Sequence, residues 1–135
     1  MKIYLAGPMR GYHKFNFALF HSVAEELRAV GHEVFSPAEH SIKLMGFDPS
    51  ERSDDGVDAE AGVSVRVFLE DDLTWICRNA EAVVCLPGAM SSTGATAEVA
   101  CARSLDDPKC KVLEYFNERD RLTLGLKPLE FCKCP

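Results

Sequence analysis

The stretch "IYLAGPMRGY", residues 3–12, decides the fold. Ile3 to Ala6 is an apolar run of strand length, and with Lys2 it reads as a buried strand over residues 2–6. Gly7-Pro8 breaks it. A helix is expected over Asn16 to Val30, because Phe17, Phe20, Val23, Ala24, Leu27 and Val30 recur at three- and four-residue spacing. Gly31 suits the end of that helix. His32 to Ser36 is a second short strand, closed by Pro37. Strand, helix and strand with short connections make a βαβ unit, whose two strands run parallel.

The unit repeats along the chain. Val63 to Arg78 reads as helix, Ala82 to Leu86 as strand, Gly94 to Ser104 as helix and Lys111 to Tyr115 as strand. A fifth strand or a short helix is expected near Leu122–Leu126. Residues 37–62 interrupt the pattern: two prolines, several acids and no sustained period read as a long excursion with a short helix near Ser41–Met45. The tip around Asp54-Asp55-Gly56 fits a solvent loop as well as a binding loop. The expected architecture is therefore α/β, with a parallel sheet of four to five strands covered on both faces. The 135 residues suit one domain of 1–135, in which 37–62 is a long loop and 117–135 a C-terminal segment.

Composition narrows the function. A net charge of −6 opposes non-specific nucleic-acid binding, which needs a basic footprint. It leaves room for a small anionic ligand in a locally positive pocket. No apolar stretch approaches the roughly 20 residues of a membrane span. No apolar leader opens the chain, so a cytoplasmic protein with reduced thiols is expected. Of six cysteines, the tail pair Cys132 and Cys134 lacks the second ligand pair of a zinc site, and neither metal nor cofactor is expected.

In a parallel sheet, ligands bind beyond the carboxyl ends of the strands. The first such loop offers Gly7, Met9 and Arg10, with neither dinucleotide nor P-loop spacing. Its arginine could grip a phosphate or carboxylate with two parallel bonds, or could form a local surface ion pair. The loop after the third strand, "PGAMSSTGATAE", offers Gly88, Ser91, Ser92 and Gly94 before a helix N-terminus, a natural place for an anion. Plain helix capping accounts for one of its three consecutive hydroxyls.

Two acids stand out. Glu98 lies one turn inside that helix among Gly94, Ala95, Ala97, Ala100, Cys101 and Ala102, where the helix dipole favours its ionised form. A surface glutamate is the plain alternative. Asp72 has Val65, Phe68, Leu69, Trp75 and Ile76 as its helical neighbours, so it falls on an apolar stripe. Burial there raises a carboxyl pKa and suits a general acid; a buried aspartate capping a loop is the alternative.

The segments "IYLAGPMRG", "DDLTWICRNAEAVVCLPG" and "SSTGATAEVACA" together resemble the nucleoside 2-deoxyribosyltransferase superfamily, and within it the nucleoside 5′-monophosphate N-glycosidase branch. The resemblance implies a flavodoxin-like fold and a homodimer or dimer-based oligomer. It implies cleavage of the bond between a sugar C1′ and a nucleobase in a nucleotide or nucleoside. Glu98 would attack C1′, Asp72 would assist the departing base, and Tyr4 would orient Glu98. Arg10 with Ser91 or Ser92 would bind the 5′-phosphate, and Gly7, Met9, Gly88 and Gly94 would complete the substrate-binding set. Base exchange by a deoxyribosyltransferase and nucleotide binding without catalysis are the competing readings. The stretch 37–62 carries no match, so the preferred base stays open.

Overall fold

The computed structural model describes residues 1–57 and 64–115 and the backbone of 127–128. Strands β1 (Lys2–Ala6), β2 (Glu33–Phe35), β3 (Ala82–Cys85) and β4 (Lys111–Glu114) lie in one sheet with a two-residue edge strand, β5 (Lys127–Pro128). Helices α1 (Phe17–Ala29), α2 (Pro37–Met45), α3 (Val65–Asn79) and α4 (Thr93–Ser104) pack around it. The sheet order is β2-β1-β3-β4-β5. The first four strands are mutually parallel, with Tyr4 level with Phe35 on one side and Val83 on the other. This is the flavodoxin-like arrangement. Its strand order reverses between β1 and β3, which opens a crevice at their carboxyl ends.

The four parallel strands are the sheet expected; β5 runs antiparallel to β4, and an antiparallel edge on a parallel sheet is a common variant. The element expected at 122–126 and the Cys132/Cys134 tail lie outside the described residues.

Strand parity positions the site. Along β1, Ile3 and Leu5 point to the face covered by Phe17, Phe20, Val23 and Leu27 of α1. Tyr4 and Ala6 point the other way, toward Ile76 of α3 and Val99 of α4. Side chains alternate along a strand, so Tyr4 can only face the layer that carries the two acids. Both clusters contain side chains with no solvent exposure, each worth about 1.5–3 kcal/mol of burial for a Val, Leu, Ile or Phe.

The helix ends follow local chemistry. At the end of α1, Gly31 N–H donates to Arg28 O and His32 N–H to Leu27 O, the paired bonds of a Schellman motif. The long excursion holds the short helix expected in it, with an earlier start. Pro37 does not close β2; it opens α2 at the first helical position, where a missing N–H costs nothing. The helix therefore begins four residues before the expected Ser41. Pro49 likewise opens a short 3₁₀ turn, Pro49–Glu51, whose cap Asp48 accepts from Ser50 N–H.

The tip of that stretch is tied down. Gly11 N–H donates to Gly56 O at 3.0 Å, and Lys14 N–H to Asp54 O at 2.9 Å. Gly56 has φ +70°, and a Cβ there would sit 2.1 Å from Tyr12 O, so only glycine fits beneath the first loop. The first loop is itself strained: Lys14, Phe15 and Asn16 have φ of 47°, 57° and 62°. Such backbone costs on the order of 1–3 kcal/mol per residue. It is held by Asn16 Nδ2 donating to Pro8 O and by the strap at residue 54. Among the described residues no helix is long and apolar enough to cross a membrane.

Candidate active site

The crevice at the switch point is a cleft of about 680 Å³, a volume suited to a small-molecule ligand. Gly7, Met9 and Arg10 line it from the loop after β1. Ser91, Ser92, Gly94 and Glu98 line it from the end of β3 and α4, and Asp72 lines it from α3. Three separate segments thus deliver the expected residues to one cavity.

Tyr4 stands behind this wall. It is fully buried, and its hydroxyl donates to Glu98 Oε2 at 2.5 Å. Its ring stacks on Phe35 with centroids 5.4 Å apart, and Trp75 lies 6.3 Å away. The phenol has little freedom to leave the carboxylate. Glu98 is 6% exposed and Asp72 8%, so both acids are held in a dry wall with one edge on the cleft.

Their proton affinities follow. Burial pushes Glu98 up to about 8; the nearby Asp72 charge adds to the rise, and the bond donated by Tyr4 opposes it. The helix dipole alone predicted an ionised Glu98. Desolvation wins, because a dipole contributes about 0.3–1 kcal/mol at an exposed helix end whereas burial of a charge costs several. Burial likewise raises Asp72 to about 6, with His40 and the Tyr4 hydroxyl pulling it back and Asp71 adding to the rise. Tyr4 itself is held well above its ordinary value, first by burial and then by the two carboxylates. Asp72 Oδ1 is buried without a hydrogen-bond partner among the described residues. The single phenol proton goes to Glu98 and not to this oxygen.

The phosphate-side candidates divide. Arg10 is exposed at the cleft and has no ion-pair partner among the described residues, so the local ion pair considered for it is not formed there. Ser92 is the N-cap of α4, its hydroxyl accepting from Ala95 N–H at 3.3 Å. Ser91 Oγ donates to Gly88 O at 2.7 Å. Thr93 also lines the cleft. Gly88 is not in the lining; it turns the chain beneath Tyr12, where a Cβ would sit 2.7 Å from the Tyr12 hydroxyl. Gly7 permits a close approach, since a Cβ there would meet Leu86 Cβ at 3.0 Å.

Other contributors were not singled out as residues by the sequence. Pro37, Ser41, Met45, Pro49 and Val57, all from the stretch without period, form one side of the cleft. His40 Nε2 lies 2.9 Å from Asp71 Oδ2, and its ring is 5.1 Å from that of Phe35. This pair flanks the Asp72 side of the site. Among the described residues no three His, Cys, Asp or Glu side chains gather as a metal site would require.

The fold and cleft define a flavodoxin-like α/β protein with two buried carboxyls and a tyrosine converging at the switch point. Residues 1–108 match the family described as Domain of unknown function (DUF4406), and the chain belongs to that family. No curated protein matches it.

Proposed function

We propose that the protein hydrolyses the N-glycosidic bond of a (deoxy)nucleoside 5′-monophosphate, releasing nucleobase and sugar 5-phosphate. The observation that carries this reading is the Tyr4–Glu98 bond at 2.5 Å, set against a cleft that Asp72 shares. A sensor needs no such arrangement: a buried acid oriented by a buried phenol is costly for binding alone.

In this reaction a carboxylate oxygen of Glu98 attacks C1′ as the bond to the base breaks, and the bonding electrons leave with the base. Asp72 gives that base its proton. Positive charge grows on the sugar in the transition state, and the Glu98 carboxylate beside C1′ stabilises it. The product is a glycosyl ester on Glu98. Water then attacks C1′, the ionised Asp72 takes its proton, and Glu98 is released. The reacting state has one proton on the two acids, and that proton must sit on Asp72. Before substrate binds, burial favours Glu98 as its holder. The bond from Tyr4 and the charge developing at C1′ favour the opposite arrangement.

Arg10 and the N–H groups at the start of α4 are the groups proposed for the 5′-phosphate. A guanidinium with no ion-pair partner among the described residues, lining the same cleft as a helix N-terminus, suits a doubly charged anion. The working form in this reading is a cytoplasmic homodimer or dimer-based oligomer. Val65, 70% exposed, and Val67, 40% exposed, supply apolar surface near the cleft mouth that a second copy could cover.

The test is incubation with a panel of ribo- and deoxyribonucleoside 5′-monophosphates and nucleosides, with chromatography for free base. Base plus sugar 5-phosphate is expected. Base exchange only in the presence of added base would assign a transferase, and tight binding without release a sensor.

A further inference from the structure

Cys77 on α3 and Cys101 on α4 bring their sulfurs within 3.6 Å of each other, and both are free thiols. The plain explanation of a cysteine in a helix contact is that it acts as a small apolar side chain. That describes Cys85, which is 2% exposed in the core. It does not describe Cys77, which is exposed and meets a second sulfur across the helix pair. The proposed glycosidase chemistry uses neither residue.

We propose that Cys77 and Cys101 form a thiol–disulfide exchange site that reacts with low-molecular-weight disulfides and closes into a Cys77–Cys101 bridge. The first step falls to the exposed sulfur. The Cys77 thiolate attacks one sulfur of the small disulfide, whose S–S bond breaks; one small thiolate leaves and takes up the proton that Cys77 gave. Cys101 then attacks Sγ of Cys77 and expels the second small thiol, which takes the Cys101 proton. Two protein thiols are oxidised and one small disulfide is reduced to two thiols. Closure asks the sulfurs to approach by ~1.5 Å, to the ~2.05 Å of a disulfide bond. The surroundings of Cys101 set the tempo: burial holds its thiol above the ordinary value, so the second step speeds up as pH rises.

The bridge has a structural consequence. α3 carries Asp72 and α4 carries Glu98, each less than two turns from its cysteine. Closing the bridge fixes the separation of the two helices that hold the acids. Cys110, buried and close enough to Cys101 to influence its titration, is the rival partner.

The experiment uses the full chain with Cys132→Ser and Cys134→Ser, which leaves the cysteines at 77, 85, 101 and 110. The reduced protein is exposed to glutathione disulfide at pH 8.5, alkylated in denaturant and mapped by mass spectrometry. Titratable thiols should fall by two, a Cys77–Cys101 peptide should appear, and dithiothreitol should reverse both. Adding Cys101→Ser should stop the reaction at one glutathione on Cys77, and adding Cys77→Ser should abolish the bridge. A bridge to Cys110 instead, a glutathione adduct on Cys77 that never resolves with Cys101 present, or no reaction at all would overturn the proposal. Each readout is independent of nucleotide hydrolysis.

Discussion

The hydroxyl of Tyr4 donates to Glu98 Oε2 across 2.5 Å, joining the third residue of β1 to the middle of α4 although 94 positions separate them in sequence. That bond opposes the rise that burial imposes on Glu98. Tyr4→Phe keeps the ring that stacks on Phe35 and removes only the donor. We expect stability within about 1–2 kcal/mol of native, the scale of one lost hydrogen bond. We expect base release to fall roughly 10–100-fold, since ~1.4 kcal/mol is a factor of ten. The alkaline limb of the pH–rate profile should move upward, because Glu98 loses the group that holds its proton affinity down. An unchanged limb would show that the phenol does not act on the nucleophile.

The two acids predict the shape of that profile. With Asp72 near 6 and Glu98 near 8, the pair holds two protons in acid, one in the neutral range and none in base. These limbs belong to the pair rather than to either residue. Base release measured as kcat/KM should be greatest between about 6 and 8 and fall on both sides. A rate that rises steadily to pH 10 would contradict it.

Folding stability should respond in the opposite sense from that of a salt-bridged acid. The folded Glu98 titrates near 8 and its ordinary value is 4.5. The folded state therefore keeps a proton that the unfolded chain gives up. The contribution is fully present below pH 4.5 and is lost as pH rises toward 8. Glu98→Gln should flatten this loss. At pH 8 it should stabilise the protein by up to ~4 kcal/mol, because a tenfold difference in proton affinity between the two states corresponds to ~1.4 kcal/mol. Urea denaturation of both proteins at pH 5 and pH 8 measures it.

Arg10→Gln separates phosphate binding from chemistry. A hydrogen bond to a charged group contributes about 1.5–3 kcal/mol, so KM for a nucleoside 5′-monophosphate should rise roughly 10–100-fold. Activity on the matching nucleoside should hardly change. Equal losses on both substrates would place Arg10 outside the phosphate site.

The strap at residues 53–57 is tested by Gly56→Ala. The new methyl would collide with Tyr12 O, at a φ that L residues avoid. The strap should lift from the first loop, and cleavage by trypsin after Arg52 should accelerate several-fold. Unchanged proteolysis would mean that the contact does not hold the strap.

The repeated strand–helix alternation was legible because each βα pair carries its own period, and the sheet follows from it. The placement of Asp72 was legible because five apolar neighbours surround it at helical spacing. Three things were not legible. Pro37 and Pro49 look like breakers in a linear reading, yet each opens a helical segment, and only the turn geometry distinguishes the two uses. The direction in which Glu98 shifts could not be read either. Local sequence supplies a helix dipole, whereas the larger effect is desolvation by partners distant in the chain. His40 and Asp71 meet for the same reason, through a side-chain contact between α2 and α3 that no motif marks.

The most direct measurement is the mass of the protein during turnover. Wild type and Glu98→Gln are mixed with the nucleoside 5′-monophosphate that releases most base, quenched in acid and weighed intact, then mapped. The wild type should carry one sugar phosphate on the peptide containing Glu98, and the variant should carry none and release base at least 1,000-fold more slowly, an order of magnitude taken from the loss of a catalytic group. Base release by Glu98→Gln at the native rate would contradict the account.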